Sequence, residues 1–178
     1  IKLQPQIILG WNVIDFDFKV IKERMNYYSI PFSFSSFDGT CKLRIRSDFF
    51  QDSSLSCPGV LVFDVITLLR TNFITFDDYK LDTVAREVLS DQKIDLESED
   101  ADVSIEEKIH AIEHMLKNDP KKLIEYNFKD SYLTSAIVEK LKLLELMCKR
   151  SILTGTPLSK VKSPIATLDI MYLKELHS

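Results

Sequence analysis

The sequence predicts an α/β fold with too few strands for a complete sheet. Three observations predict it. Two short apolar runs, Ile7-Ile8-Leu9 and Val60-Leu61-Val62-Phe63, are each stopped at once, by Gly10 and by Asp64, as buried strands are. A helical stripe and a weakly alternating segment lie between those runs. Beyond the second run the apolar spacing is helical. A chain of 178 residues with 45% apolar and 28% charged residues has the balance of a soluble globular domain, which excludes whole-chain disorder and collagen-like architecture.

Taken in order, Pro5 precedes the first strand and Gly10 ends it. Phe18, Ile21, Met25 and Tyr28 then recur at helical spacing, and Pro31 is expected to end that helix. Residues 32–50 alternate weakly, as in Cys41-Lys42-Leu43-Arg44-Ile45-Arg46, and Asp38-Gly39 is a tight-turn signal, so a β-hairpin is expected there. Pro58-Gly59 punctuates before the second strand. A short helix should follow over residues 65–70, and Leu81, Val84, Ala85, Val88 and Leu89 mark another. Residues 95–107 form an acidic run that reads as a solvated loop, with Ser104-Ile105-Glu106-Glu107 as a capping box. One long helix is expected from about Pro120 to Arg150. Its core stripe is Leu133, Ile137, Leu141, Leu144 and Cys148, with Glu139, Lys140, Lys142 and Glu145 toward water. Gly155-Thr156-Pro157 should close the compact part, leaving residues 161–177 as a linker toward a further domain.

The net charge of −4 gives no sign of the basic face of a free-standing nucleic-acid binder, although metal-binding carboxylates would themselves push the balance acidic. Cys41, Cys57 and Cys148 fit neither a zinc ribbon nor a thioredoxin motif. An odd, sparse count fits plain thiols in a reducing cytosol, hence a cytoplasmic location, with a Cys41–Cys57 bridge across the hairpin as the alternative. No apolar stretch approaches the ~20 residues that span a bilayer, and no signal peptide opens the chain. The first residue is not Met, and the chain reads as a piece of something longer.

Two carboxylates stand out by their surroundings. Asp17 follows the first strand and should sit in the first turn of a helix, at the carboxyl end of the sheet where open α/β folds bind ligands. Asp130 lies four residues after Tyr126, so the two share one helical face. Taken singly, each aspartate also reads as a surface or capping residue.

Asn12-Val13-Ile14-Asp15-Phe16-Asp17 resembles the Asn-x-x-x-Phe-Asp second motif of proofreading 3′–5′ exonucleases, and Tyr126-Asn127-Phe128-Lys129-Asp130 resembles their Tyr-x-x-x-Asp third motif. Residues 4–12 are similar to the lead-in of family B DNA polymerases, with the Gly-Trp-Asn form of the bacterial type. Residues 60–64 match a family strand ending in Asp, and Tyr79-Lys80-Leu81-Asp82-Thr83-Val84-Ala85 resembles a Tyr-x-Leu-x-x-Val-Ala helix. The likeness runs over residues 4–177 and implies a ribonuclease-H-like exonuclease fold with a β-hairpin insertion and a helical C-terminal part. By the same likeness residues 1–155 are the C-terminal part of that domain, and residues 156–178 connect toward an absent polymerase palm. No Asp-x-Glu, the first motif, precedes Gly10, so the fold is expected to be incomplete and the chain alone inactive or nearly so.

The resemblance implies roles. Asp17 and Asp130 become catalytic metal ligands for Mg²⁺ or Mn²⁺ in a two-metal site, since hard cations take oxygen donors. Tyr126 would orient the attacking water, because a phenol of ordinary pKa ~10 is a hydrogen-bond partner at neutral pH and not a base. Asn12 and Phe16 would shape the pocket for the terminal nucleotide of a DNA primer. The implied partners are a single-stranded 3′ end of DNA and the remaining polymerase domains of a parent chain, with no membrane, and a dimer could form through an exposed sheet edge. Two other readings stay open. His110-Ala111-Ile112-Glu113-His114 fits the inverted zinc-protease motif, but a polar helix with solvated histidines is the preferred reading of so short a match. A non-catalytic docking module would show an apolar surface patch and no metal binding.

Overall fold

Chain order gives four strands and six helices among the described residues of the computed structural model, which are 5–34, 39–45, 53–89, 114 and 116–176. They are β1 (Ile7–Gly10), α1 (Asp17–Tyr27), β2 (Lys42–Arg44), β3 (Ser54–Ser56), β4 (Leu61–Asp64), α2 (Val65–Thr71), α3 (Leu81–Leu89), α4 (Pro120–Lys140), α5 (Leu143–Thr154) and α6 (Pro164–Leu176). They group into two units. The first comprises residues 1–75 and 142–178, the second residues 76–141.

In the first unit the two apolar runs pair as parallel strands, β1 with β4, in the register Ile7↔Leu61 through Gly10↔Asp64. Parallel pairing demands a long crossover, and α1 and the β2–β3 ladder supply it. The core that fills this crossover contains Val13, Ile14, Phe18, Phe32, Cys41, Cys57, Val60 and Val62, with Ile8, Met25, Phe34, Leu43 and Leu55 packed against it. Phe34 meets the rings of Phe18 and Phe32 edge-on at 5.4 and 5.0 Å. Of the helical stripe expected on α1, Phe18 is buried and Met25 half-buried, whereas Ile21 and Tyr28 are exposed. The helix ends before Pro31. Ser29 enters the left-handed region (φ 55°), and the Ile30 N–H closes back on the Met25 carbonyl at 2.8 Å.

The expected hairpin at Asp38-Gly39 falls partly outside the described residues, and the described ladder lies further along the chain. Phe32 and Cys41 share one backbone bond of 2.7 Å, but the ladder runs between β2 and β3 in the register Lys42↔Ser56, Leu43↔Leu55, Arg44↔Ser54. Asp38, the first half of the expected turn, lies outside the described residues. The expectation of three plain thiols fails. Cys41 and Cys57 are joined as a disulfide at the end of that ladder, and only Cys148, exposed on α5, is a free thiol. The sulfur pairing follows from register, since residue 41 stands opposite residue 57 one rung beyond Lys42↔Ser56.

The expected 120–150 helix is two helices. Lys142 turns left-handed (φ 52°), α4 stops and α5 restarts at Leu143. The break shifts the helical phase, so α5 buries Leu143 and Met147 while Leu144 is half-buried and Cys148 faces solvent. Gly155 (φ 68°) ends α5, where a left-handed residue favours glycine. The segment expected as a linker is helical from Pro164 to Leu176. None of its helical residues is buried, although Val161 just before it is 1% exposed.

The second unit pairs α3 with α4. Val84, Ala85 and Leu89 of α3 and Leu133, Thr134, Ile137 and Val138 of α4 are buried, as the apolar spacing of both segments requires. Asp119 caps α4 by accepting from the Lys122 N–H at 3.2 Å, and Pro120 sits at the first helical position. The acidic run and its capping box, at residues 95–107, fall outside the described residues. No helix among the described residues is long and apolar enough to cross a membrane.

Candidate active site

The turn from β1 to α1 is built by sterics before any chemistry. A Cβ on Gly10 would come within 2.7 Å of the Val13 Cγ2, so only glycine lets the chain fold back over the strand end. Asn12 takes a left-handed conformation (φ 54°), which asparagine tolerates better than most residues. The Phe16 N–H then reaches the Asn12 carbonyl at 3.1 Å and the Phe18 N–H reaches that of Val13 at 2.9 Å. Val13 and Ile14 point into the core, while Asn12, Phe16 and Asp17 stay at the surface. Asp17 is the first residue of α1, in the first turn as its position in the sequence predicts. Lost hydration raises its carboxyl pKa, and its own backbone N–H partly offsets this.

Asp64 is the residue that sequence reasoning passed over. Sitting opposite Gly10 in the parallel register and buried, it accepts from the Ile66 and Thr67 N–H groups at 3.0 and 3.4 Å as the cap of α2. Its other oxygen accepts from the Ile14 N–H at 3.4 Å. One carboxylate therefore ties the turn after β1 to the turn after β4. Burial raises its pKa, the three N–H donors oppose that shift, and the negative charge of Asp15 adds to it. A signal was present in the sequence, because an aspartate directly before an apolar helical run reads as a cap.

Tyr126 and Asp130 stand one turn apart on α4 in the second unit, on one face as their spacing requires. The tyrosine is 48% exposed; the aspartate is half-buried. Burial first, then repulsion from Asp82 on α3, raises Asp130 to about 6 against the pull of Lys129. The candidate residues thus form two groups. Asn12, Phe16 and Asp17 share the turn of the first unit; Tyr126 and Asp130 share a helix face of the second.

Their carboxylates are the oxygen donors that hard divalent cations take. Among the described residues, however, no three or more His, Cys, Asp or Glu side chains converge as a metal centre. For the zinc reading, His110 and Glu113 lie outside the described residues, and His114 is exposed.

Comparison with known proteins shows similarity in sequence. The family model described as DNA polymerase family B, exonuclease domain, matches residues 1–84. DNA polymerase II of Escherichia coli (strain K12) is 25% identical over 178 residues, covering 97% of this chain and 21% of the relative. The DNA polymerase delta catalytic subunit of Dictyostelium discoideum is 29% identical over 89% of this chain and 14% of its own length. The DNA polymerase catalytic subunit of Epstein–Barr virus (strain B95-8) is 33% identical over 53% of this chain and 10% of its own length. The chain thus spans about a fifth or less of these relatives. An exonuclease domain of this family implies a ribonuclease-H-like α/β fold, and the strands and helices described here are of that mixed class. The chain is similar in sequence to family B DNA polymerases, and its residues 1–84 match the model of their exonuclease domain.

Proposed function

We propose that the chain supplies part of the proofreading 3′–5′ exonuclease of a DNA polymerase, which hydrolyses the terminal phosphodiester of a primer strand. The observation that supports this reading most directly is the turn carrying Asn12, Phe16 and Asp17 at the carboxyl ends of a parallel strand pair, within the segment that matches the exonuclease family. In this reading residues 1–155 are exonuclease domain and residues 156–178 lead toward the polymerase palm of the same cytoplasmic parent chain.

Asp17 and Asp130 would each serve as a ligand of Mg²⁺ or Mn²⁺, Tyr126 would orient the attacking water by its hydroxyl, and Asn12 and Phe16 would seat the terminal nucleotide. The metal stabilises charge on the phosphoryl oxygens when bound. We take the site to be completed by an Asp-x-Glu strand, the first motif of the exonucleases that the chain resembles, and the fold to be incomplete without it. The chain by itself is then inactive. Among the described residues β1 and β4 pair only with each other, and pairing of two copies through an outer edge would be read by sedimentation as a dimer.

Nucleotide release from a 3′-labelled single strand with Mn²⁺ tests the proposal. The chain alone should release none, and a version extended by an Asp-x-Glu segment should do so. Asp17→Ala and Asp130→Ala should each abolish that restored activity. An extended chain that stays silent, or that works unchanged without either aspartate, sinks the proposal.

A further inference from the structure

Cys41 and Cys57 stand opposite one another at the end of a ladder only three residues long on each side. Strands this short hold poorly without a covalent closure. Both cysteines are buried, and both belong to the core that packs Val13, Ile14 and Phe18. Those three residues are the buried side of the turn whose exposed side carries Asn12, Phe16 and Asp17.

We infer that the Cys41–Cys57 bond is a redox-controlled staple that sets how firmly this turn is held. The chemistry is thiol–disulfide exchange with a small dithiol. One reductant thiolate attacks a protein sulfur, the S–S bond breaks, and a mixed disulfide forms. The second reductant thiolate displaces the protein sulfur and closes a cyclic disulfide. Two electrons pass from the dithiol to the protein, and two protons finish on Cys41 and Cys57. Because both residues are at most 8% exposed, attack waits on opening of the hairpin. Reoxidation by a small disulfide runs the same steps backward. Once the staple is open, β2 and β3 can separate, and Val13, Ile14 and Phe18 lose packing partners on the hairpin side of the core.

Two measurements on the whole chain test this. The first alkylates the denatured protein with iodoacetamide before and after dithiothreitol and counts the adducts by mass. One adduct, on Cys148, is expected before reduction and three after it. The second follows amide hydrogen exchange in oxidised and dithiothreitol-treated protein. Residues 11–18 should exchange about tenfold faster on reduction, at the Phe16 and Phe18 amides above all, while residues 133–138 of α4 keep their protection. A Cys41→Ser/Cys57→Ser double variant should match the reduced protein and ignore the dithiol, whereas Cys148→Ser should respond as the parent does. Three adducts before reduction overturn the inference. So does exchange at residues 11–18 that reduction leaves unchanged, or a loss of protection over the whole chain.

Discussion

The turn that presents Asp17 and the helix that presents Asp130 hold their carboxylates by different means. Tertiary fastenings hold Asp17: a strand end with no room for a Cβ at Gly10, buried Val13 and Ile14, and the Asp64 carboxylate on the Ile14 N–H. Asp130 rides a regular helix whose phase is set by Leu133 and Ile137, and what distinguishes it is its surroundings. The difference teaches where mutation should act. Around Asp17 the geometry is vulnerable and burial raises the carboxyl pKa; around Asp130 the geometry is robust, and burial together with Asp82 raises the pKa to about 6.

The largest effect should come from the packing face that holds α4. Ile137→Ala removes a fully buried side chain and should cost about 3–4 kcal/mol in urea unfolding. Next, Asp64→Ala removes the α2 cap and the acceptor for the Ile14 N–H together, with an expected loss of about 2–3 kcal/mol. Asp64→Asn keeps an acceptor oxygen and should recover more than half of that loss. Equal losses in the two variants would mean that the charge, not the hydrogen bonding, is what the turn needs.

The third prediction concerns pH. The folded chain holds the Asp130 proton more tightly than the unfolded one, with the pKa raised from 3.8 to about 6. Its contribution therefore favours the fold below the ordinary carboxylate range and is lost as pH climbs through about 6. Asp130→Asn should gain about 1 kcal/mol at pH 7, a figure already reduced for solvent screening at a half-buried site. Carboxyl NMR should find the midpoint near 6 in the parent and lower in Asp82→Asn, since Asp82 is the repelling neighbour. A midpoint in the ordinary range would erase the contrast drawn here. The smallest effect is expected from Asp17→Asn, within about 0.5 kcal/mol, because an exposed first-turn carboxylate has only a modest interaction with the helix dipole.

Elements with a clean period were legible in the sequence. The β1 and β4 runs, α3, and the first-turn position of Asp17 follow from apolar spacing and from Gly10. The break at Lys142 was not, because glycine and asparagine are the residues that advertise a left-handed turn, and lysine does not. The pairing of β2 with β3 was not legible from Asp38-Gly39, since a local turn signal carries no information on which distant strand will pair. The Cys41–Cys57 bond could be read only as the alternative to plain thiols, for a related reason: it depends on the register of β2 against β3, a tertiary fact. Of the candidate site, residue types and spacings could be read, whereas the fastening role of Asp64 required knowing that Gly10 lies beside it.

One residue of the turn has a consequence in stereochemistry. At Asn12 the backbone takes the handedness that mirror-image amino acids prefer. In a chemically synthesised chain, D-alanine at position 12 would fit the turn better than L-alanine. The same inversion at Val13, buried against the core, would point its side chain the wrong way. The local hand of this turn thus changes at a single residue, five positions before Asp17.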